Sequence, residues 1–469
     1  MKRAVTFHAV IASALILLAG CTSYDVAKPL TSFKSDKGTV KAVELTLEKG
    51  DVLTASGTYR NFILQGQAMT QDGAAASVGF HSGKEGGGYE VMLRGGAMDG
   101  SIKTGSLTSV RNLYRSLPAN GEWFDFAIAV REKNIEVSIN GTDVVCYTEP
   151  EAPFRLPEYA SRVLGEGKIV LKGIEDGVSL KNLTVTRLQD GTLNPNDTLP
   201  PVDEQEDAII RLQQKMFPVI DYHVHLKGGL SKEMAHALSM NYGINYGVAP
   251  NAGEGGVGRM LADDKEVYEY YDEVKDMPFL RGVQGEGRRW TQVFSQEALG
   301  IFDYLFTDAM TIMDKNQRTR LYNGREVQYA GRSLEQYMDL IVDQTVKILT
   351  NEPADIFANP TYLTRELTQD YDKYWTQERI DKVLDVLEKY GIALEINPTY
   401  NLPSMDIIRQ AKARGIKFTF GTNNSNAKMN HLEYCVKAVE ECGLSASDMW
   451  FPTMSLRRTR PVVIYNHFD

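Results

Sequence analysis

Phe217-Pro218-Val219-Ile220-Asp221-Tyr222-His223-Val224-His225 is the stretch on which the fold turns. An apolar run ends at Asp221, and two imidazoles follow, one residue apart. Side chains alternate between faces in extended backbone, so His223 and His225 point to the same side. Apolar runs of the same kind recur at 244–248, 279–283, 302–306, 356–358, 392–396 and 416–420, with helical stretches such as 376–390 and 404–414 between them. Seven strands alternating with helices predict a closed or nearly closed β/α barrel. Just past the runs stand Asn251, Glu286, Asp308, Asn359, Glu395 with Asn397, and Asn423 with Asn424. Strand ends of a β/α barrel converge on one mouth, so these polar groups are expected to line a single cleft.

At 469 residues the chain exceeds one ordinary core. With 43% hydrophobic and 24% charged residues it is neither disordered nor a multi-span membrane protein. Its 51 basic and 61 acidic residues leave a net charge of −10, which offers no pull toward a polyanion, so nucleic acid is not an expected partner. Asn-Pro, Leu-Pro-Pro and an acidic cluster make 189–207 a linker between domains at 39–188 and 208–469. Upstream of it, short alternating runs at 62–64, 89–93, 124–130 and 135–139 are divided by Gly- and Asn-rich turns, and Asn140-Gly141 is a strong hairpin signal. This half is predicted to be an all-β sandwich.

Met1-Lys2-Arg3, an apolar run from Ala9 to Ala19, and Leu18-Ala19-Gly20-Cys21 look like a secretory leader closed by a bacterial lipobox. The resemblance implies a leader at 1–20, lipidation at Cys21, a tether at 21–38, and a protein anchored by acyl chains in the cell envelope, periplasmic or on the outer-membrane surface. Cys146, Cys435 and Cys442 imply no disulfide framework, and the last two are expected to be buried on one helix face.

Asp221-Tyr222-His223-Val224-His225, Glu286, Leu394-Glu395-Ile396-Asn397 and Gly421-Thr422-Asn423-Asn424 resemble in order and spacing the motifs of the polymerase and histidinol phosphatase (PHP) superfamily of metal-dependent hydrolases. The resemblance spans roughly 216–455. It implies a distorted (β/α)7 barrel and a divalent metal (Zn, Mn or Mg), with His223, His225, Glu286 and Glu395 as candidate ligands; Asp308, at a strand end, is a further anionic candidate. The chain departs from the pattern at Asn359-Pro360-Thr361, where a His is usual, and at Asn423-Asn424-Ser425, where Asp-x-His is usual. Amides are weaker ligands and poor bases, so one metal or none is expected. Asn359, Asn397, Asn423 and Arg288 are then candidates for binding substrate.

Gly57-Thr58-Tyr59-Arg60-Asn61-Phe62, Gly88-Tyr89-Glu90-Val91, Asn120-Gly121-Glu122-Trp123 and Gly165-Glu166-Gly167-Lys168-Ile169 resemble the concanavalin-like, jelly-roll domain named for 3-keto-disaccharide hydrolases. That resemblance implies a carbohydrate or glycoside partner. A sugar site needs planar hydrogen-bonding groups and an aromatic face. Glu90 and His81, with Glu286 of the barrel, are the candidate catalytic groups; Lys103, Arg111 and Trp123 are candidate sugar contacts. The leading expectation is a lipid-anchored glycoside hydrolase or lyase with a metal-assisted barrel site. Two alternatives stand beside it: a PHP-type phosphoesterase with a glycan-docking sandwich, and a non-catalytic glycan-binding lipoprotein with a degenerate barrel.

Overall fold

In the strand Phe124–Arg131, Phe124, Phe126, Ile128 and Val130 are buried on one face while Asp125 stays in water. This period-two pattern, repeated along the amino-terminal half, builds two antiparallel sheets packed face to face. The computed structural model describes residues 26–83, 86–195, 199–253, 259–286, 290–315 and 317–457. One sheet runs in the order Lys28–Pro29, Val178–Arg187, Phe62–Thr70, Phe124–Arg131, Asn134–Ile139, Thr142–Thr148, with Glu44–Leu47 also paired to Val178–Arg187. The other runs Gly38–Lys41, Ser32–Ser35, Val52–Ala55, Lys168–Glu175, Ala75–Ser82, Tyr89–Arg94. The hairpin turn falls on Asn140 and Gly141, both at positive φ, 48° and 76°.

The sandwich takes in chain that the sequence assigned to a tether, since Lys28–Pro29 and Ser32–Ser35 already pair with later strands. These pieces are too short and too polar to show a period. Two stretches read as sandwich, 96–117 and 150–160, belong instead to the compact unit that holds the barrel. Their polar groups explain the assignment: Asn112 Nδ2 donates to the Gln213 carbonyl at 2.9 Å, and Arg155 pairs with Glu204, both side chains nearly inaccessible. The leader and Cys21 lie outside the described residues. Among the described residues no helix is long and apolar enough to cross a membrane.

The second half closes into a barrel of seven parallel strands, in the order Asn245–Val248, Ile220–Val224, Phe418–Phe420, Ala393–Ile396, Ile356–Ala358, Tyr304–Asp308, Leu280–Glu286. Gly247 pairs with Leu280 and Val248 with Arg281 to seal the ring. Gly247 and Gly282 leave room for the Tyr304 ring, which a Cβ at either position would strike. Outside, the helix Gln377–Tyr390 buries Ile380, Val383, Leu384 and Leu387 at helical spacing and ends at Gly391 with φ 63°. The helix Leu334–Asn351 starts with Ser333 and Gln336 capping one another. Cys435 is buried on the helix Glu433–Glu441, and Cys442 is the buried residue that caps it.

Candidate functional site

Polar side chains from the strand ends meet at the barrel mouth. His223 Nδ1 donates to Glu395 Oε2 at 2.7 Å, and its Nε2 faces Gln284 Oε1 at 3.3 Å. Gln284 and Asn359 each donate an amide hydrogen to Asp308 Oδ2, at 3.0 and 3.1 Å. Asn359 N and Asn397 Nδ2 donate to Glu395 Oε1, while Asn397 and Asn423 donate to Asn359 Oδ1. The structure therefore brings His223, Asp308, Glu395, Asn359, Asn397 and Asn423 into one hydrogen-bonded floor. Gln284 completes it and was not singled out in the sequence, although it lies two residues before Glu286 on the same strand face.

Other motif residues build the mouth itself. Asp221, wholly buried, accepts from Thr422 and from the His223 backbone, tying the last strand to the first; burial raises its carboxyl above the usual range. Asn424 brackets the His225 backbone, accepting from its N–H and donating to its carbonyl. His225 Nδ1 meets the Ala249 carbonyl at 2.8 Å and must donate there. Burial, then the neighbouring His223 and Lys227, holds its imidazole well below 6.5, so the ring is neutral with Nε2 unprotonated.

His225 thus has its ring N–H on a carbonyl, and its side chain also hydrogen-bonds to Gln284. Asp308 and Glu395 each receive several N–H donors, so their lone pairs point at hydrogens rather than at a shared vacant point. Among the described residues no three His, Cys, Asp or Glu side chains are placed to hold an ion. The set expected to bind a divalent metal, His223, His225, Glu286, Asp308 and Glu395, does not fit one as arranged. Glu286 stands toward the rim, where its charge acts on the partly buried Lys227 and on Tyr322. Arg288 lies outside the described residues.

The sandwich residues assort differently from expectation. Gly79 pairs with Glu90 and with Val170, and Ser77 pairs with Lys172, so these residues share the outward face of the second sheet. Glu90 makes an ion pair with Lys172 and has Arg162 NH2 at 3.7 Å. Neither Lys103 nor Arg111 is its partner: both belong to the barrel unit, Lys103 bound to Asp99 and Ser101, Arg111 to the carbonyls of Val110 and Asn241. The Glu90 carboxylate keeps 18% side-chain exposure and Lys172 34%. Ser77 Oγ, buried beside them, has no hydrogen-bond partner among the described residues.

His81 is not free for proton transfer. Its Nε2–H donates to the Arg60 carbonyl at 2.9 Å and its Nδ1 accepts from Gly165 N–H at 3.2 Å. Trp123 lies beside the outward row Asp125–Gln67–Lys181 of the first sheet, under the Lys181 ammonium at 3.7 Å, away from Glu90. Lys172 and Arg162 had no signal in the sequence, because strand register brings Lys172, and the loop before that strand brings Arg162, beside Glu90.

Residues 23–186 match the model of the 3-keto-alpha-glucoside-1,2-lyase-like domain. The matched segment takes in the strands of the sandwich from Lys28–Pro29 to Val178–Arg187. No curated protein matches the chain. Among solved structures, a candidate glycosyl hydrolase of Parabacteroides distasonis is 15% identical over 31% of this chain and 78% of its own, with TM-score 0.27. A carbohydrate-binding module of Bacillus subtilis is 12% identical over 34% of this chain and 93% of its own, TM-score 0.23. A beta-glucanase of Bacillus licheniformis is 11% identical over 37% of this chain and 100% of its own, TM-score 0.24. At these scores the likenesses carry no argument.

Proposed function

We propose that the protein is an exported, lipid-anchored enzyme whose sandwich cleaves 3-keto-glucosides by 1,2-elimination, with Glu90 as the base. The observation that carries this reading is Glu90 held between Lys172 and Arg162, its carboxylate 18% exposed and paired in register with Gly79, which puts no side chain beside it. The family match at 23–186 supports the substrate class. Anchoring through Cys21 rests on Leu18-Ala19-Gly20-Cys21.

A keto group at C3 acidifies the C2 proton. Glu90 takes that proton, and the C2–H electron pair forms C2=C3 while the carbonyl pair moves onto the C3 oxygen. Lys172 and Arg162 stabilise that oxyanion. As the C3 carbonyl re-forms, the electrons make C1=C2, the C1–O bond breaks, and the leaving alkoxide takes a proton from the Glu90 carboxylic acid or water.

The test is turnover of methyl 3-keto-α-glucoside by the full chain and by Glu90→Gln, followed by the ultraviolet absorbance of the conjugated enone. A loss of 100-fold or more with unchanged thermal midpoint supports the reading. Equal turnover in both proteins sinks it, and binding without turnover in the parent makes the domain a glycan-binding module instead.

A further inference from the structure

We propose that the barrel mouth is a second carbohydrate site, built for an uncharged, hydroxyl-rich ring and not for a divalent cation or a phosphate ester. Three features of the mouth select that ligand class. The first is the saturation of its acids. Glu395 accepts from His223, Asn359 N and Asn397, and Asp308 from Gln284, Asn359 and the Met310 N–H. A cation approaching either would meet the positive ends of N–H bonds.

The second is the sign of the field. Asp308 and Glu395 lie buried under the mouth and Glu286 stands near its rim, facing Lys227. The two buried carboxylates disfavour a phosphate or carboxylate resting directly on this floor. It tolerates neutral hydroxyls, which can donate as well as accept. Asn423 is the floor's open valence: one amide hydrogen goes to Asn359, and the rest of its amide has no side-chain or backbone partner among the described residues.

The third is the aromatic rim. Tyr400 is seated on the floor by its N–H, which donates to Asn397 Oδ1 at 3.0 Å. Its ring meets Tyr362 edge to face, with centroids 5.1 Å apart. Tyr322 and Tyr400 are 44% and 39% exposed, among the few large rings in the chain left in water. Burial raises both phenols, and the Asp308 charge acts on each in the same direction. An amide floor under exposed phenol faces offers hydrogen bonds to hydroxyls and a stacking surface for ring C–H groups.

Saturation-transfer NMR on the full chain tests this, with methyl α-glucoside as the neutral probe and Mn²⁺ and inorganic phosphate titrated calorimetrically as the charged ones. The sandwich is silenced in the background by Glu90→Gln with Lys172→Met. Transfer to the sugar ring protons is expected to persist in that background and to fall at least tenfold in affinity when Tyr322→Ala and Tyr400→Ala are added. Both rings being exposed, the thermal midpoint should hold, and Tyr400→Phe, which keeps the stacking face, should retain binding. No transfer in the silenced background, transfer unchanged by the tyrosine variants, or stoichiometric uptake of Mn²⁺ or phosphate at the mouth overturns the proposal. The outcome is independent of turnover by Glu90.

Discussion

His223 Nδ1 and Glu395 Oε2 are joined by a 2.7 Å hydrogen bond across 172 residues of chain, with both side chains 1% exposed. The pair links the first barrel strand to the sixth in chain order, and the amide network spreads from it. Its burial makes it a mechanical element of the mouth. Removing one member would strand the other in a medium that cannot solvate it.

Gly421 is where that packing is most exposed to a single change. A Cβ there would run into Glu395 Oε2 and would come within 2.8 Å of His223 Cβ. Gly421→Ala is expected to destabilise the protein by about 2–4 kcal/mol, because neither neighbour can move without breaking its hydrogen bonds. Urea unfolding measures it, and a change under about 0.5 kcal/mol would mean the floor yields.

His81 should report on stability rather than chemistry. Burial lowers its imidazole pKa from the usual value, against the opposing Arg60 hydrogen bond. A histidine with a depressed folded pKa gives an unfolded state that binds more protons below about 6.5, so stability is complete above that pH and falls as pH drops toward the folded value. The contribution of His81 to the parent's thermal midpoint is expected to decline from pH 7.5 to 5. His81→Asn should start lower and decline less over the same range; an identical slope in both proteins would remove His81 as the cause.

Gly79 offers a steric test of the sandwich site. A Cβ there meets the Val170 carbonyl at 3.4 Å and the Tyr89 carbonyl at 3.7 Å, which is ordinary contact, and it points to the face that carries Glu90. Gly79→Val should fold with a stability change near 1 kcal/mol, while its branches cover the floor beside the carboxylate. Turnover of 3-keto-glucoside is expected to fall more than tenfold, mostly through KM. Undiminished turnover would move the site off this face.

Asp143 carries an opposite pH signature. Burial first, and then the Glu136 charge, pushes its carboxyl up to about 6. The group is therefore a cost once ionised: its own contribution to stability is full below about pH 4 and is lost as pH rises through 6. Asp143→Asn removes the charge and should raise stability by about 2 kcal/mol at pH 8 after allowance for partial exposure, with little effect near pH 4. A destabilising effect at pH 8 would mean that its carboxylate is needed by its neighbours.

The barrel strands were legible because each is an apolar run closed by a polar group, and the closed parallel sheet follows from their alternation with helices. The mouth was legible for the same reason: His223, Asp308, Asn359, Glu395, Asn397 and Asn423 all sit at strand ends. What they do there was not. Whether a carboxylate lone pair faces an ion or an N–H depends on tenths of an ångström between neighbouring strands, and no spacing encodes that. Lys103 and Arg111 were misplaced because nothing in 96–117 announces that its polar groups are satisfied by Gln213, Asn241 and the rest of the barrel unit.

Periodicity and composition by themselves determined a two-sheet sandwich, a seven-stranded barrel and a polar mouth, because each follows from where apolar side chains must hide along a local stretch. Only the tertiary structure decided that Glu90 answers to Lys172 and Arg162, that His81 serves the backbone, and that two excursions of the sandwich chain belong to the barrel unit. Those outcomes depend on strand register and on which distant group satisfies each buried charge, and both are settled when the whole chain is packed.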